Sequence, residues 1–351
     1  MWGRKLFERY SIRSRAPLRL GLAGGGTDLS PYCDRHGGAV LNATIDRFAF
    51  AHLSFSPNRK LIFRARDVNA EEAFDLGSEI SVAQGLVLHK AVYRHFVNNY
   101  IGEDIPVTIS TTIDAPAGSG LGSSSALVVA LVEAFRYLLD LPLGPYDLAK
   151  LAYDIERVQL QLAGGRQDQY AASFGGINFI EFLDAQRVIV NPLRIKGDYL
   201  KEFESSIVIC FTGQSRRSEV IIREQVCGLN EADSPMTESM HRLKDDASAM
   251  KVALLQGNIA DLAQILRRSW ETKKKAAAII STPEIDRFVD LAMKEGAMGG
   301  KVSGAGGGGF LMLMTDPENR YRLISKLNET GGQASAVKLT FEGVEAWSTQ
   351  I

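Results

Sequence analysis

The chain has 351 residues, of which 45% are hydrophobic and 23% charged, and its formal net charge is −1 at pH 7. A chain of this size can bury a substantial core and form about two domains. Its near-neutral charge, without a basic block or an apolar run of membrane-spanning length, argues against nucleic acid and membranes as partners, and we expect a cytoplasmic protein.

The first glycine-rich segment covers residues 16–29 and starts as a strand. Apolar residues alternate before glycines interrupt the pattern, at Leu18, Leu20, Leu22 and residues 24–26. Asp28, which follows Gly26 and Thr27, could accept hydrogen bonds from two adjacent sugar hydroxyls, although a simple Asx turn is the alternative. Arg19 is the other charged group, and its alternative role is an outward-pointing strand residue.

Strand and helix patterns are mixed along the rest of the chain. Strands are predicted over residues 48–55, 61–66, 107–113, 176–182 and 187–190, and helices after the second glycine-rich segment and over 146–162. A strand over 207–211 precedes helices over 218–229, 236–255, 259–278 and 283–294, and strands return after residue 301. Without a regular βαβ period, this order favours an α+β fold with a domain boundary near residues 183–205.

The second glycine-rich segment covers residues 116–126 and opens into an apolar helix that ends before Pro142. Its glycines can adopt positive φ angles and approach an anion, while the first helical turn offers N–H groups and the positive end of the helix dipole. Serine hydroxyls could add a Mg²⁺ ligand; the alternative is a turn whose serines only cap the helix. The predicted phosphate-binding residues are Pro116, Gly118, Gly120, Leu121, Gly122, Ser123, Ser124 and Ser125.

Two carboxylates downstream of this segment are candidates for phosphoryl-transfer chemistry. Asp168 lies in a Gly-Gly-Arg-Gln-Asp-Gln segment after a helix, where it could accept the proton of an attacking hydroxyl beside the phosphates. A loop-capping carboxylate is its alternative role. Glu156 flanks the apolar face of the preceding helix and could ligate Mg²⁺ with Ser124; a solvated helix acid is the alternative.

The third glycine-rich segment covers residues 299–310 and runs into an apolar strand. With a third glycine, Gly304 and Gly306 match the dinucleotide-binding fingerprint, but that motif must follow a first strand and open a helix, so we reject a Rossmann fold. The Walker pattern also fails, because valine follows its lysine. Glycine in this segment permits close approach to a ligand.

Other polar residues carry fewer predictions. If the substrate has its own phosphate, a basic side chain must contact it, and Arg166 and Arg216 are the candidates, although either could be a solvated arginine. The five histidines have no metal-ligand spacing, and the three cysteines form no CxxC pair. We therefore expect free thiols and no structural zinc site.

The three glycine-rich segments, in this order and at this spacing, resemble the three motifs of the GHMP kinase superfamily of galactokinase, homoserine kinase, mevalonate kinase and phosphomevalonate kinase. The resemblance spans nearly the whole chain. Residues 22–28 and 164–172 are most similar to the D-glycero-D-manno-heptose 7-phosphate kinases, with the fucokinases beside them. Leu18 departs from the pattern, because many members have glycine before the cation at Arg19.

The resemblance implies two α+β domains, residues 1–195 and 196–351, with the active site in the cleft between them. It implies ATP and Mg²⁺, with the second segment around the ATP phosphates and Asp168 and Arg19 beside the acceptor hydroxyl. Substrate contacts are expected at Gly26, Thr27, Asp28, Arg166, Arg216, Gly304 and Gly306. A homodimer is an arrangement that the sequence leaves open.

The implied activity is an ATP- and Mg²⁺-dependent sugar kinase. It would phosphorylate the anomeric hydroxyl of D-glycero-D-manno-heptose 7-phosphate to the 1,7-bisphosphate, in nucleotide-activated heptose biosynthesis. One alternative is an anomeric kinase for an unphosphorylated sugar such as L-fucose. Another is a non-catalytic sensor of sugar and ATP, against which the presence of both Arg19 and Asp168 argues.

Overall fold

The computed structural model describes residues 10–183, 187–214, 218–229, 234–276 and 280–350. The strands are β1 Tyr10–Ala23, β2 Gly38–Phe55, β3 Lys60–Ala65, β4 Ala70–Asp75, β5 Val107–Ile113, β6 Ile177–Phe182, β7 Val188–Pro192, β8 Ile207–Phe211, β9 Ala297–Val302, β10 Phe310–Thr315, β11 Gln333–Ala336 and β12 Glu345–Gln350. The helices are α1 Tyr32–His36, α2 Val87–Phe96, α3 Ser123–Leu139, α4 Pro145–Tyr153, α5 Gln167–Phe174, α6 Gly197–Ser206, α7 Ser218–Gly228, α8 Pro235–Gln256, α9 Ile259–Ala276, α10 Pro283–Lys294 and α11 Arg320–Glu329. Short π-helical turns, Val97–Ile101 and Asp154–Gln159, continue α2 and α4.

The first sheet has eight strands, in the order β12-β1-β2-β5-β3-β4, with β6 paired to β2 and β7 paired to β6. Its pairs are antiparallel except for β3 with β5, which is parallel. Helix α3 packs on β1 and β2, and every residue from Ser125 to Phe135 is buried. The core of the first sheet therefore fixes the N-terminus of α3 beside the end of β1.

The second sheet has four antiparallel strands in the order β11-β8-β10-β9. Every residue of β8 and β10 is buried, because helices cover both faces of this sheet. Residues such as Ile209 and Met312 pack in one core with α8 and α9, while their neighbours Cys210 and Leu311 pack in another with α10 and α11. This packing fixes α9 and β9 next to each other.

The predicted α+β class is confirmed, and the strands at 107–113 and 207–211 and the helix at 283–294 have the predicted bounds. The predictions omitted α1, α2, α5, α6, α11 and β4, and they gave no bounds for the strands after residue 301. Strand β4 has low intrinsic β propensity, and backbone pairing with β3 holds it at the sheet edge. Helix α6 lies in the predicted boundary segment; its partly buried Leu200 and its buried Phe203 pack against the core.

The predicted domain boundary after residue 195 falls between β7 and α6, and it stays a prediction. Strand β12 complicates a simple division, since this C-terminal strand pairs with β1 of the first sheet. Within the described ranges, no helix combines the length and apolarity that crossing a bilayer requires.

Candidate active site

A cavity of about 540 Å³ lies where the three glycine-rich segments meet. Of the residues singled out in the sequence, those that line it are Arg19, Gly26, Asp28, Gly118, Gly120, Gly122, Ser123, Ser124, Glu156, Asp168 and Gly304. Those that do not line it are Thr27, Pro116, Leu121, Ser125, Arg166 and Gly306. Arg216 lies outside the described residues. Most of the predicted set therefore converges on one cavity.

The second glycine-rich segment forms a tight loop at the N-terminus of α3. Gly118, Gly120 and Gly122 have φ angles of 71°, 77° and 74°, the positive values expected for this segment. A Cβ atom on Gly120 would lie 2.3 Å from the carbonyl oxygen of Ser303, so the second and third segments pack backbone against backbone. Helix α3 has no side-chain N-cap, which leaves the amide groups of its first turn for an anion.

Asp168 and Arg19 form an ion pair on the wall of the cavity. Asp168 lies in the first turn of α5, and its Oδ1 accepts a hydrogen bond of 2.7 Å from Nε of Arg19 and lies 2.6 Å from Nη2. Nη1 of Arg19 donates to the carbonyl oxygen of Gly120 at 2.7 Å. Both arginine contacts use Oδ1, and the Asp168 side chain remains 21% exposed. The ion pair thus joins β1 to the glycine loop and presents a carboxylate to the cavity.

Glu156 is fully buried in the π-helical turn after α4. Its Oε1 accepts a hydrogen bond of 2.9 Å from Ser124 and lies 3.3 Å from Arg157. Its Oε2 accepts hydrogen bonds of 2.7 Å each from Ser125 and Gln169. Glu156 is therefore no solvated helix acid, and its carboxylate lies next to the Ser124 hydroxyl at the start of α3.

Asp28 is buried on another wall of the cavity. Its Oδ1 accepts hydrogen bonds from the Gly26 amide at 3.2 Å and from Nε2 of Gln167 at 3.0 Å, while Oδ2 accepts from the Gln167 amide at 3.1 Å. Burial raises the pKa of Asp28, and the charge of Asp168 raises it further. A Cβ atom on Gly165 would lie 1.9 Å from Oδ2 of Asp28, so glycine is required there.

Arg166 lies beside the cavity wall and contacts other residues. Its Nη2 donates to Oδ1 of Asp34 at 2.9 Å and to Oγ of Ser30 at 3.2 Å, and its guanidinium lies 5.5 Å from the ring centre of Tyr153. A role in reading a substrate phosphate stays a prediction for both Arg166 and Arg216.

Two lysines that were not predicted as ligands line the cavity. Lys273 on α9 and Lys301 on β9 are 5% and 4% exposed. Burial, with a smaller contribution from nearby cations, lowers the pKa of Lys273 to about 8 and that of Lys301 to about 7. One signal was available for Lys273, since it follows the buried Trp270 by three residues and so shares its helix face.

Comparison with known proteins identifies the family. The family model described as "GHMP kinases N terminal domain" matches residues 87–176, and the one described as "GHMP kinases C terminal" matches residues 250–333. The chain is 43% identical over 337 residues to the D-glycero-alpha-D-manno-heptose 7-phosphate kinase of Campylobacter jejuni. The aligned region covers 96% of this chain and 99% of that protein.

Two further relatives extend this result. The crystal structure of a D-glycero-D-manno-heptose 1-phosphate kinase from Bacteroides thetaiotaomicron superposes with a TM-score of 0.80 at 40% identity, over 96% of this chain and 98% of that one. The L-fucokinase/L-fucose-1-P guanylyltransferase of Bacteroides fragilis is 28% identical over 348 residues, which cover 91% of this chain and 36% of that protein. The chain belongs to the GHMP kinase family, as the three glycine-rich segments predicted.

Proposed function

We propose that this chain transfers the γ-phosphoryl group of ATP to the anomeric hydroxyl of D-glycero-D-manno-heptose 7-phosphate. The observation that carries the proposal is the Arg19–Asp168 ion pair, which is bonded to the glycine loop and faces the cavity. The choice of sugar rests on the 43% identity to the heptose 7-phosphate kinase of Campylobacter jejuni. This substrate implies a cytoplasmic pathway to a nucleotide-activated heptose.

In this proposal Asp168 accepts the proton of the attacking hydroxyl, and Arg19 stabilises the negative charge that develops there. Phosphoryl transfer needs little covalent participation by protein, so positioning and charge neutralisation supply most of the acceleration. The amide groups at the start of α3 would bind the ATP phosphates.

The sugar would bind against Asp28 and the backbone of Gly26 and Gly304, whereas Gly306, also predicted as a substrate contact, lies outside the cavity lining. The Thr27 hydroxyl donates to the carbonyl oxygens of Gly24 and Ala39, at 2.8 and 2.9 Å, so Thr27 would position Asp28 and leave the sugar contacts to its neighbours.

Ser124 and Glu156 are the residues that would hold Mg²⁺. Their oxygens lie 2.9 Å apart, and Mg²⁺ prefers oxygen ligands while keeping several waters. With two protein ligands, the remaining positions would be filled by phosphate oxygens of the nucleotide and by water. When bound, Mg²⁺ would neutralise charge on the ATP phosphates.

Phosphorus NMR tests the reaction and its position. We expect the purified protein with MgATP and D-glycero-D-manno-heptose 7-phosphate to give a new anomeric phosphate signal beside the retained 7-phosphate. The relative from Campylobacter jejuni is named a heptose 7-phosphate kinase, whereas the one from Bacteroides thetaiotaomicron is named a heptose 1-phosphate kinase. Heptose 1-phosphate is therefore the matched control, and turnover of it instead of the 7-phosphate would overturn the proposed substrate.

An unphosphorylated sugar such as L-fucose is a second candidate. This candidate is favoured by the contacts of Arg166, which forms an ion pair with Asp34 and does not line the cavity where a substrate phosphate would bind. Turnover of L-fucose in the same assay, without turnover of either heptose phosphate, would establish it. A sensor that binds sugar and ATP without turnover of any of these sugars is the remaining outcome.

A further inference from the structure

Lys273 and Lys301 carry two buried ammonium groups into the cavity. Nζ of Lys273 donates to the carbonyl oxygen of Gly304 at 2.5 Å, and Nζ of Lys301 donates to that of Leu22 at 3.2 Å. Neither forms an ion pair with a carboxylate among the residues that the structure describes. An ammonium group has three donors, so a single carbonyl leaves most of its hydrogen-bonding capacity for another ligand.

The acidic groups near these lysines are bonded to other partners. Asp168 pairs with Arg19. Asp246 accepts a hydrogen bond of 2.8 Å from Nε of Arg268. Asp28 is held by backbone amides and by the Gln167 side chain. The Arg19–Asp168 and Arg268–Asp246 pairs are each neutral, so the two lysines outnumber the remaining carboxylate, Asp28, and this wall of the cavity has excess positive charge whenever both lysines are protonated.

The excess charge lies on the acceptor side of the cavity. Lys301 is anchored at the end of β1, and the charges of Arg19 and Asp28 both act on Lys273, although its carbonyl partner Gly304 packs against Gly120 of the phosphate loop. A buried charge without a counterion is unfavourable, so an anion that fits between these groups would be bound strongly. A phosphoryl group, with several acceptor oxygens, matches two ammonium groups in chemistry and charge.

We propose that Lys273 and Lys301 form a phosphoryl-binding subsite on the acceptor side of the cavity. The phosphoryl group has two sources: the phosphate that a sugar phosphate substrate already carries, and the group in transfer from ATP. The first source rests on the proposed function, whereas anion binding by the two lysines does not.

Sulfate binding tests the subsite without sugar or turnover. Sulfate is a suitable probe because it stays a dianion across the working pH range. By isothermal titration calorimetry at pH 6.5, we expect Lys273→Met and Lys301→Met each to weaken sulfate binding about ten- to hundredfold, as expected for loss of a charged hydrogen bond. Lys301→Arg should restore part of the affinity. Lys274→Met is the matched control, since this adjacent lysine pairs with Glu271 and does not line the cavity.

Repeating the titration with a non-hydrolysable MgATP analogue distinguishes the two sources. If lysine-dependent sulfate binding persists beside the analogue, the subsite takes the phosphate of the sugar substrate. If the analogue abolishes it, the lysines bind the group in transfer. Sulfate affinity that is unchanged in both methionine variants would overturn the subsite, whatever the sugar turns out to be.

Steady-state kinetics gives an independent readout. For a substrate phosphate, Lys301→Met should raise KM for heptose 7-phosphate about ten- to hundredfold, leave KM for ATP unchanged and leave residual turnover of the unphosphorylated heptose unaffected. For the group in transfer, kcat should instead fall equally with both sugars. Wild-type kinetics in both methionine variants would contradict both the substrate phosphate and the group in transfer as the bound phosphoryl group.

Discussion

The proposed nucleotide side and the proposed acceptor side of the cavity are built in different ways. The nucleotide side comes from one continuous stretch, residues 118–124, in which glycine φ angles and uncapped amide groups form the binding surface. The acceptor side is assembled from Asp28 after β1, Gln167 on α5, Lys273 on α9 and Lys301 on β9. A contiguous backbone site can be recognised in a sequence, whereas a site assembled from distant side chains needs the fold.

The two sides also differ in the origin of their positive potential. Amide groups and a helix dipole supply it on the nucleotide side, and these do not titrate. Two lysines supply it on the acceptor side, with pKa values lowered by burial to about 8 and about 7. Changes of pH near neutrality should therefore affect the acceptor side more than the nucleotide side.

The largest effect is expected where the two sides meet. Asp168→Asn should lower kcat by about a thousandfold, within the range for loss of a general base, and should leave ATP binding nearly unchanged. Asp147→Asn is the matched control, because this carboxylate in the first turn of α4 bonds to the Gly144 amide and does not line the cavity. Stopped-flow kinetics and ATP titration measure the two quantities. Retained turnover in Asp168→Asn would remove Asp168 from the chemistry.

A change confined to the nucleotide side should weaken the binding of ATP. Gly120→Ala puts a Cβ atom 2.3 Å from the Ser303 carbonyl oxygen at a φ angle of 77°, so the loop must shift. We expect about hundredfold weaker ATP binding, about 2.7 kcal/mol, measured by calorimetry. Gly77→Ala has a similar φ of 83° with nothing within 4 Å and does not line the cavity, so it controls for the general loss of stability that a strained alanine causes. Equal effects of both substitutions would contradict the role of the loop contact.

The sequence supported the second segment best, because helix capping, glycine conformations and apolar periodicity all act locally. It also indicated Glu156, although an amphipathic pattern cannot tell an inward-facing flank from a solvated one. The structure decides this, since Ser124, Ser125 and Gln169 all donate to the Glu156 carboxylate. Those contacts depend on the packing of α3 against α4 and α5, which no local pattern contains.

Arg166 and Lys273 show what the fold adds to charge patterns that are local in the sequence. Arg166 stands two residues from Asp168, yet Asp34, which is distant in sequence, binds its guanidinium. Lys273 begins a run of three lysines that resembles a solvated helix end, yet its side chain is buried in the cavity. The packing of the sheets and helices therefore determines which of these two cations lines the cavity.

The acceptor side should be stabilised when its charge is removed. Burial, then Lys273 and Arg19, lower the pKa of Lys301 to about 7 from an ordinary value of 10.5, while Asp246 opposes the shift. Between these pH values the unfolded chain binds more protons than the folded protein. The lysine therefore destabilises the folded protein at low pH, and this loss of stability is recovered as pH rises. The shift corresponds to at most about 5 kcal/mol, and the variant also loses the hydrogen bond to the Leu22 carbonyl oxygen, so we expect Lys301→Met to raise the free energy of unfolding by about 2 kcal/mol at pH 6. Urea denaturation measures the free energy of unfolding, and the gain should become smaller towards pH 10.

Lys274→Met, on the same helix as Lys273 but outside the cavity lining, should show no such pH-dependent gain. A gain in Lys301→Met that is the same at pH 6 and pH 10 would mean that methionine packing, and not the removed charge, causes it.

The smallest effect tests whether Glu156 serves the nucleotide side through Mg²⁺. Glu156→Gln keeps the shape and an oxygen acceptor beside Ser124 but removes the charge. The Mg²⁺ concentration for half-maximal activity should rise about tenfold, about 1.4 kcal/mol, while the dependence on sugar stays unchanged. Glu133→Gln is the control, because this buried glutamate on α3 pairs with Arg136 away from the cavity. An unchanged Mg²⁺ dependence in Glu156→Gln would assign Glu156 to holding α3 against α5, through Ser125 and Gln169, and leave the metal to the nucleotide phosphates and water.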